Sequence, residues 1–209
     1  MDAYPLDEYD LCTICRESLA NFDSAYSFGS YEGPLRKLIH LYKYAKIESL
    51  AQPLSRFLIR AIPLEQRFDA VMAMPMHWRK QWERGFNQAE LLARPVAARY
   101  GLRLSSNLRR KRYTASQAGL TEAQRRENLK GSFYVKKPEQ VAGKRILLVD
   151  DVFTTGATLR TAAAALKAAG AAHVSALTLA RVDRRAFEGN VASSRRRAQR
   201  AVFAGSGVE

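Results

Sequence analysis

The chain is poor in the residues that build extracellular or membrane proteins. It has only two cysteines, Cys12 and Cys15, in 209 residues, so no disulfide framework is available to it. No apolar run approaches the roughly 18 residues that a membrane span needs. The first ten residues carry Asp2, Asp7, Glu8 and Asp10, the wrong sign for a secretory leader. There is no internal repeat, no long low-complexity segment, no Gly-x-Gly-x-x-Gly and no Walker A motif with its Gly-Lys-Ser/Thr. These absences point to the cytoplasm, to no membrane span and to one domain with a small appendage.

What is abundant is positive charge. The formal net charge is +14. Residues 103–137 contribute +8 and residues 181–209 contribute +4, leaving the rest of the chain almost neutral. A near-neutral folded body with two basic patches favours a polyanionic partner or substrate over a merely solubilising surface. An apolar fraction of 47% supports a real core.

Periodicity divides the body into elements. Ser24–Tyr31 reads as a short strand that stops at Gly33-Pro34. Leu35, Leu38, Ile39 and Tyr42, then Leu50, Leu54, Phe57, Leu58 and Ala61, keep helical spacing. Asp69–Met74 reads as a buried strand ending at Pro75. Phe86, Ala89, Leu92, Val96 and Tyr100 mark a helix face that Pro95 should kink or interrupt. Ser105–Ala118 is polar, basic and without period, so a long loop is expected. Thr121-x-x-Gln124 resembles a capping box opening a short helix through about Leu129, and Phe133–Val135 a short strand.

The clearest unit follows. Ile146–Val149 is wholly apolar, as for a strand covered on both faces. Leu159, Ala162, Ala163, Leu166 and Ala169 form a helix face closed by Gly170, and Val174–Ala180 is a second strand. This βαβ unit implies a right-handed crossover and a parallel sheet, with ligands beyond the carboxyl ends of its strands.

Between strand and helix lies Asp150-Asp151-Val152-Phe153-Thr154-Thr155-Gly156-Ala157-Thr158. Amides at a strand-to-helix turn make a nest for a phosphate, reinforced by the helix N-terminus. Thr154, Thr155 and Thr158 add hydroxyl donors, and Gly156 allows close approach of a ligand. Two adjacent carboxylates repel unless hydroxyls or a cation engage them. A ribose 5-phosphate meets all three demands, with its phosphate in the nest and its 2′ and 3′ hydroxyls on Asp150 and Asp151. An Asp-capped turn with threonines as helix caps is the plainer alternative.

Ile146–Thr158 resembles the phosphoribosyl-pyrophosphate (PRPP) motif of type I phosphoribosyltransferases. Three further blocks resemble the ComF family of competence-associated proteins, including GntX-like members. They are Pro75–Gln88, with Arg84-Gly-Phe-Asn-Gln88 inside it; Arg112–Gln117 continuing to Arg126–Phe133; and Tyr31–Ile39 with Lys43-Tyr44. The resemblance implies a type I phosphoribosyltransferase-like fold, a largely parallel twisted sheet flanked by helices with a small N-terminal Cys-x-x-Cys appendage. The implied divisions are a remnant zinc-ribbon-like segment over 1–22, the phosphoribosyltransferase-type domain over 23–185 and a basic, flexible tail over 186–209.

By position, the resemblance makes Met76, His77 and Arg84 a pyrophosphate loop and places Arg112, Thr114 and Gln117 in a flexible loop over Arg109–Gln117. Asp150 and Asp151 become the catalytic pair that stabilises an oxocarbenium-like sugar, and Asp150, Asp151 and Thr154–Thr158 the phosphate and ribose site. Mg²⁺ accompanies PRPP. Family members commonly carry two Cys-x-x-Cys pairs, whereas Cys12 and Cys15 form one, and zinc wants four ligands. Either an upstream pair precedes Met1 or the site has decayed, so bound Zn²⁺ is not expected. Trp78 and Trp82 read more readily as packing than as base-stacking residues.

Three functions follow from the resemblance and the charge. One is a ComF-like protein supporting natural competence and DNA uptake, binding single-stranded DNA and acting with a competence helicase. The second is a metabolic phosphoribosyltransferase using a nucleobase or amine. The third is a non-catalytic PRPP or nucleotide sensor.

Overall fold

The computed structural model describes residues 22–45, 47–76, 82, 85–111 and 131–182. The elements are β1 (Ser24–Ser30), α1 (Gly33–Tyr44), a 3₁₀ turn (Glu48–Leu50), α2 (Ala51–Ala61), β2 (Ala70–Ala73) and α3 (Gln88–Arg99). Then come β3 (Leu104–Ser105), β4 (Leu108–Arg110), β5 (Phe133–Val135), a second 3₁₀ turn (Pro138–Gln140), β6 (Arg145–Val149), β7 (Val152–Phe153), α4 (Ala157–Ala168) and β8 (His173–Arg181).

The main sheet is parallel throughout, in the order β1-β8-β6-β2-β3, with β7 also on β8. β4 and β5 form a separate antiparallel ribbon. After Arg145, strand β6 is wholly apolar because both its faces are covered. Leu147 and Val149 join a cluster with Leu54, Leu58, Leu92 and Val96 of α2 and α3. Ile146 and Leu148 join Leu159, Ala162, Ala163 and Leu166 of α4 on the other face. Each of these leucines is fully buried, so truncation to alanine costs about 2–5 kcal/mol.

Edge strand β1 is tied on by more than its ladder. Ser24 Oγ lies 2.8 Å from Ser175 Oγ, and Ser27 Oγ 2.7 Å from Thr178 Oγ1. These contacts satisfy hydroxyls on a β8 whose Ser175 and Thr178 are wholly buried.

Three expectations change. The Gly33-Pro34 that ends β1 also opens α1, with Pro34 in the first turn, where its missing amide costs nothing. Helix α3 runs through Pro95 without a break. Leu92, Ala93, Val96 and Ala97 are all buried around the proline, and that packing outweighs one missing helical hydrogen bond. The basic stretch after Ser105 is not all loop, since Leu108–Arg110 pairs with Phe133–Val135. Three residues are too few for an alternating pattern to register, and their partner strand lies more than twenty residues away.

The capping-box helix at 121–129, Cys12, Cys15 and the tail lie outside the described residues. No helix among the described residues is long and apolar enough to cross a membrane.

Candidate phosphoribosyl site

The acidic pair sits at the carboxyl end of central strand β6, but it does not leave the sheet there. Val149 faces Leu177 and Val152 faces Ala180, so the register along β8 does not slip across Asp150-Asp151. The Asp150 amide donates to Leu177 O (2.9 Å), and Asp151 O accepts from the Leu179 amide (3.0 Å). The carboxylates are therefore carried on rigid, paired backbone, and the free turn is confined to Thr154–Gly156. An apolar run followed by two acids concealed this continuation in the sequence.

Gly156 is the pivot of that turn. Its φ is 70°, in the left-handed region, and it stands at the N-cap of α4. The Ala157 amide is taken by Thr155 Oγ1 at 3.3 Å. Amides of the next two first-turn residues have no acceptor within the helix by geometry. Phe153 braces the turn from beneath. Its ring meets Phe22 edge-on at 6.0 Å, and the Arg181 guanidinium lies 4.9 Å from its centroid.

Two cations from distant parts of the chain converge on the carboxylates. Lys43, in the last turn of α1, places Nζ 2.8 Å from Asp151 Oδ1, with both side chains largely buried at 18% and 14% exposure. Burial alone would lower the Lys43 ammonium, but the charge and hydrogen bond of Asp151, with help from Asp150, raise it above its ordinary value. Arg110, on β4, is lowered by burial and drawn back by Asp150.

Asp150 is pushed up to about 7, first by burial and then by the Asp151 carboxylate; Lys43, the Asp151 amide and Arg110 oppose the rise. The Asp151 amide donates to Asp150 Oδ1 at 2.9 Å. One acid of the pair is thus bridged to a lysine, while burial and the adjacent carboxylate raise its neighbour toward neutral pH. Tyr42, beside Lys43, is driven far above the ordinary phenol range by burial and by Asp151; its hydroxyl donates to Gln88 O at 2.8 Å.

That bond links α1 to the Arg84–Gln88 block. Within it Gly85 has φ 87°, Phe86 and Gln88 are buried, and Asn87 caps α3 by accepting from the Ala89 amide at 3.1 Å. Asn87 Nδ2 also donates to Met74 O at 3.2 Å. These bonds hold the start of α3 against the end of β2. Since Ala73 pairs with Val149, and the Met74 amide donates to Val149 O, the segment leading to Met76 lies beside Asp150.

His77, Arg84, Trp78, Arg112, Thr114 and Gln117 lie outside the described residues. Trp82 is 86% exposed, so it does not pack in the core. Arg109, assigned by position to the start of a flexible loop, belongs instead to strand β4. The residue that sequence reasoning passed over is Lys43. It belongs to the Tyr31–Tyr44 block of the family resemblance, but only the fold shows what it touches.

A parallel α/β sheet with an acidic pair and a Thr-Thr-Gly turn at the carboxyl edge of its central strand is the architecture of a phosphoribosyltransferase domain. The Phosphoribosyl transferase domain family matches residues 86–197. "DNA utilization protein YhgH" of Salmonella typhi is 33% identical over 177 residues, covering 81% of this chain and 77% of that protein. "Competence protein F" of Haemophilus influenzae is 30% identical over 178 residues, 81% of this chain and 78% of that one. "Competence protein ComFC" of Bacillus subtilis is 34% identical over 114 residues, 53% of this chain and 44% of that one. The chain belongs to the ComF family of phosphoribosyltransferase-type proteins.

Proposed function

We propose that this protein binds PRPP, or a related phosphoribosyl ligand, at Asp150–Thr158 and serves DNA uptake in the cytoplasm by handling single-stranded DNA. The observation that carries the first half is the placement of Asp150 and Asp151 on paired backbone directly before the Gly156 turn and the α4 N-terminus. The 5-phosphate would lie on the first-turn amides with Thr155 and Thr158 hydroxyls. The ribose hydroxyls would donate to the two carboxylates, which accept best as ions. Met76, His77 and Arg84 would face the pyrophosphate, and Arg112, Thr114 and Gln117 would close over it.

Two hard carboxylate donors suit Mg²⁺, which characteristically takes one or two carboxylates together with substrate phosphates. Asp150 and Asp151 would hold it with the ligand's own oxygens, and it would supply neutralisation of the pyrophosphate charge. The chain's own contribution is to orient the sugar on the acidic pair and to offer carboxylate charge to a cationic anomeric carbon.

The second half rests on the names carried by the relatives, which speak of DNA utilization and competence, and on the +8 of residues 103–137. A competence helicase is the partner that such a role implies.

Calorimetry of PRPP with and without Mg²⁺, on the wild type and an Asp150→Ala/Asp151→Ala variant, tests the site. Binding that is lost in the variant supports it. Absence of binding by folded wild type overturns it. Pyrophosphate release with a panel of nucleobases and amines then separates a transferase from a protein that binds without turnover.

A further inference from the structure

The β4–β5 ribbon has two faces that do different things. Leu108 and Phe133 are buried against the α4 side of the sheet, and Arg110, over the Phe133 ring at 5.5 Å, belongs to that inner side. The intervening residues face out. Arg109 and Tyr134 are direct cross-strand partners, Arg109 exposed and Tyr134 41% exposed. Lys111 Nζ lies 5.8 Å from the Tyr134 ring centroid. Tyr134 thus presents a partly exposed aromatic ring flanked by cations, a surface on which a planar ligand can stack.

Beside this face lies a cleft of about 380 Å³ lined by Arg103, Arg109, Lys136 and Lys137, with Asn107 and Gln140 among its walls and no acidic side chain in its lining. The cleft is built rather than incidental. Buried Asn107 donates from Nδ2 to Gln140 Oε1 at 2.8 Å, and its carbonyl accepts the Lys136 amide at 2.9 Å. Folding thus gathers into one place cations that are up to 34 residues apart in sequence.

We infer that this outer face binds a single-stranded nucleic acid, with a base stacked on Tyr134 and consecutive phosphates held by Arg103, Arg109, Lys136 and Lys137. Cations alone would suit any polyanion. The exposed ring among them selects a ligand with free aromatic faces, which a single strand has and a duplex has already stacked. The inference rests on the single-stranded DNA reading above and gives it an address distinct from the phosphoribosyl loop. The ribbon separates the two sites, because Arg110 turns toward Asp150 while adjacent Arg109 turns away.

The test is fluorescence anisotropy of a labelled oligo(dT) over a salt series with the full chain. Besides Tyr134→Phe, four proteins are compared: wild type, Arg109→Gln/Lys136→Gln/Lys137→Gln, Tyr134→Ala, and a charge-matched control, Arg56→Gln/Arg60→Gln/Arg99→Gln. Tyr134→Phe and thermal melts guard against misfolding. The cleft variant should flatten the slope of log affinity against log salt by about 2, at roughly 0.7 for each phosphate that is no longer neutralised, and the control should not. Tyr134→Ala should weaken binding about tenfold with its slope unchanged, and Tyr134→Phe should retain affinity. If wild type binds and the cleft variant matches the control, the location is wrong and the DNA reading survives. Equal affinity for duplex overturns the single-strand assignment, and no binding at low salt overturns both.

Discussion

Lys43 Nζ and Asp151 Oδ1 stand 2.8 Å apart across 108 positions of sequence, joining the last turn of α1 to the acidic pair. The lysine does for Asp151 what a ligand's hydroxyls or a divalent cation would do: it relieves two carboxylates on consecutive residues. Removing one partner of a buried pair strands the other charge. Lys43→Met should therefore cost on the order of 2 kcal/mol at pH 8, toward the low side for such pairs because both side chains keep some solvent contact. Urea unfolding checks this. The same variant should make PRPP binding depend more steeply on Mg²⁺, since Asp151 then loses the cation 2.8 Å from it.

Asp150 works against the fold. Its carboxyl, raised to about 7, stays protonated in the native protein over a range where the unfolded chain, with an ordinary value of about 3.9, has lost the proton. Native protein then holds more protons than unfolded, so its contribution to stability falls as pH rises from about 4 to about 7 and is level above that. Asp150→Asn removes the slope. It should melt higher than wild type at pH 8, by several degrees or more, and nearly together with it at pH 4, while losing PRPP binding. In the wild type, affinity should rise with pH through about 7 as Asp150 ionises to accept ribose hydroxyls. A melting point unchanged at pH 8 would show that the Asp150 charge is not strained by the fold.

Gly156 has no replacement. A Cβ there would lie 2.6 Å from Phe153 Cζ and 2.8 Å from its Cε1, and Phe153 is buried and held by Phe22 and Arg181, so the ring cannot step aside. The left-handed backbone adds about 1–2 kcal/mol for any residue with a side chain. Gly156→Ala should lose about 3 kcal/mol in denaturant unfolding, with PRPP affinity falling in parallel because the turn and the phosphate nest are one structure.

Asp23 anchors β1 to the end of α4 and the start of β8. Its carboxylate accepts from the Val174 amide at 2.7 Å and pairs with Lys167 at 2.8 Å. Burial pushes its carboxyl up, but Lys167, the Val174 amide and His173 together hold it below the ordinary value. A depressed carboxyl stabilises above the unfolded value and loses that contribution as pH falls through the folded one. Asp23→Ala should cost about 1 kcal/mol at pH 7, less than a fully buried charged hydrogen bond because the site is partly exposed. The difference from wild type should close below about pH 4.

What the sequence by itself determined lies close together along the chain. The β6–α4–β8 unit and the Asp150–Thr158 motif were legible because an apolar run, a helix face and a glycine turn are read within a few residues of one another, where local sterics decide. The tertiary structure decided the rest. It extended β6 through the acids into β7, because the register of β8 supplies hydrogen bonds that no local pattern shows. It kept α3 whole across Pro95, because burial on both sides outweighs one missing bond. It drew β4 out of a basic, aperiodic stretch by pairing it with β5, and so set Arg109 beside Tyr134. It also brought Lys43 to Asp151: a charge's partner is set by distance in space, and only folding makes that distance short.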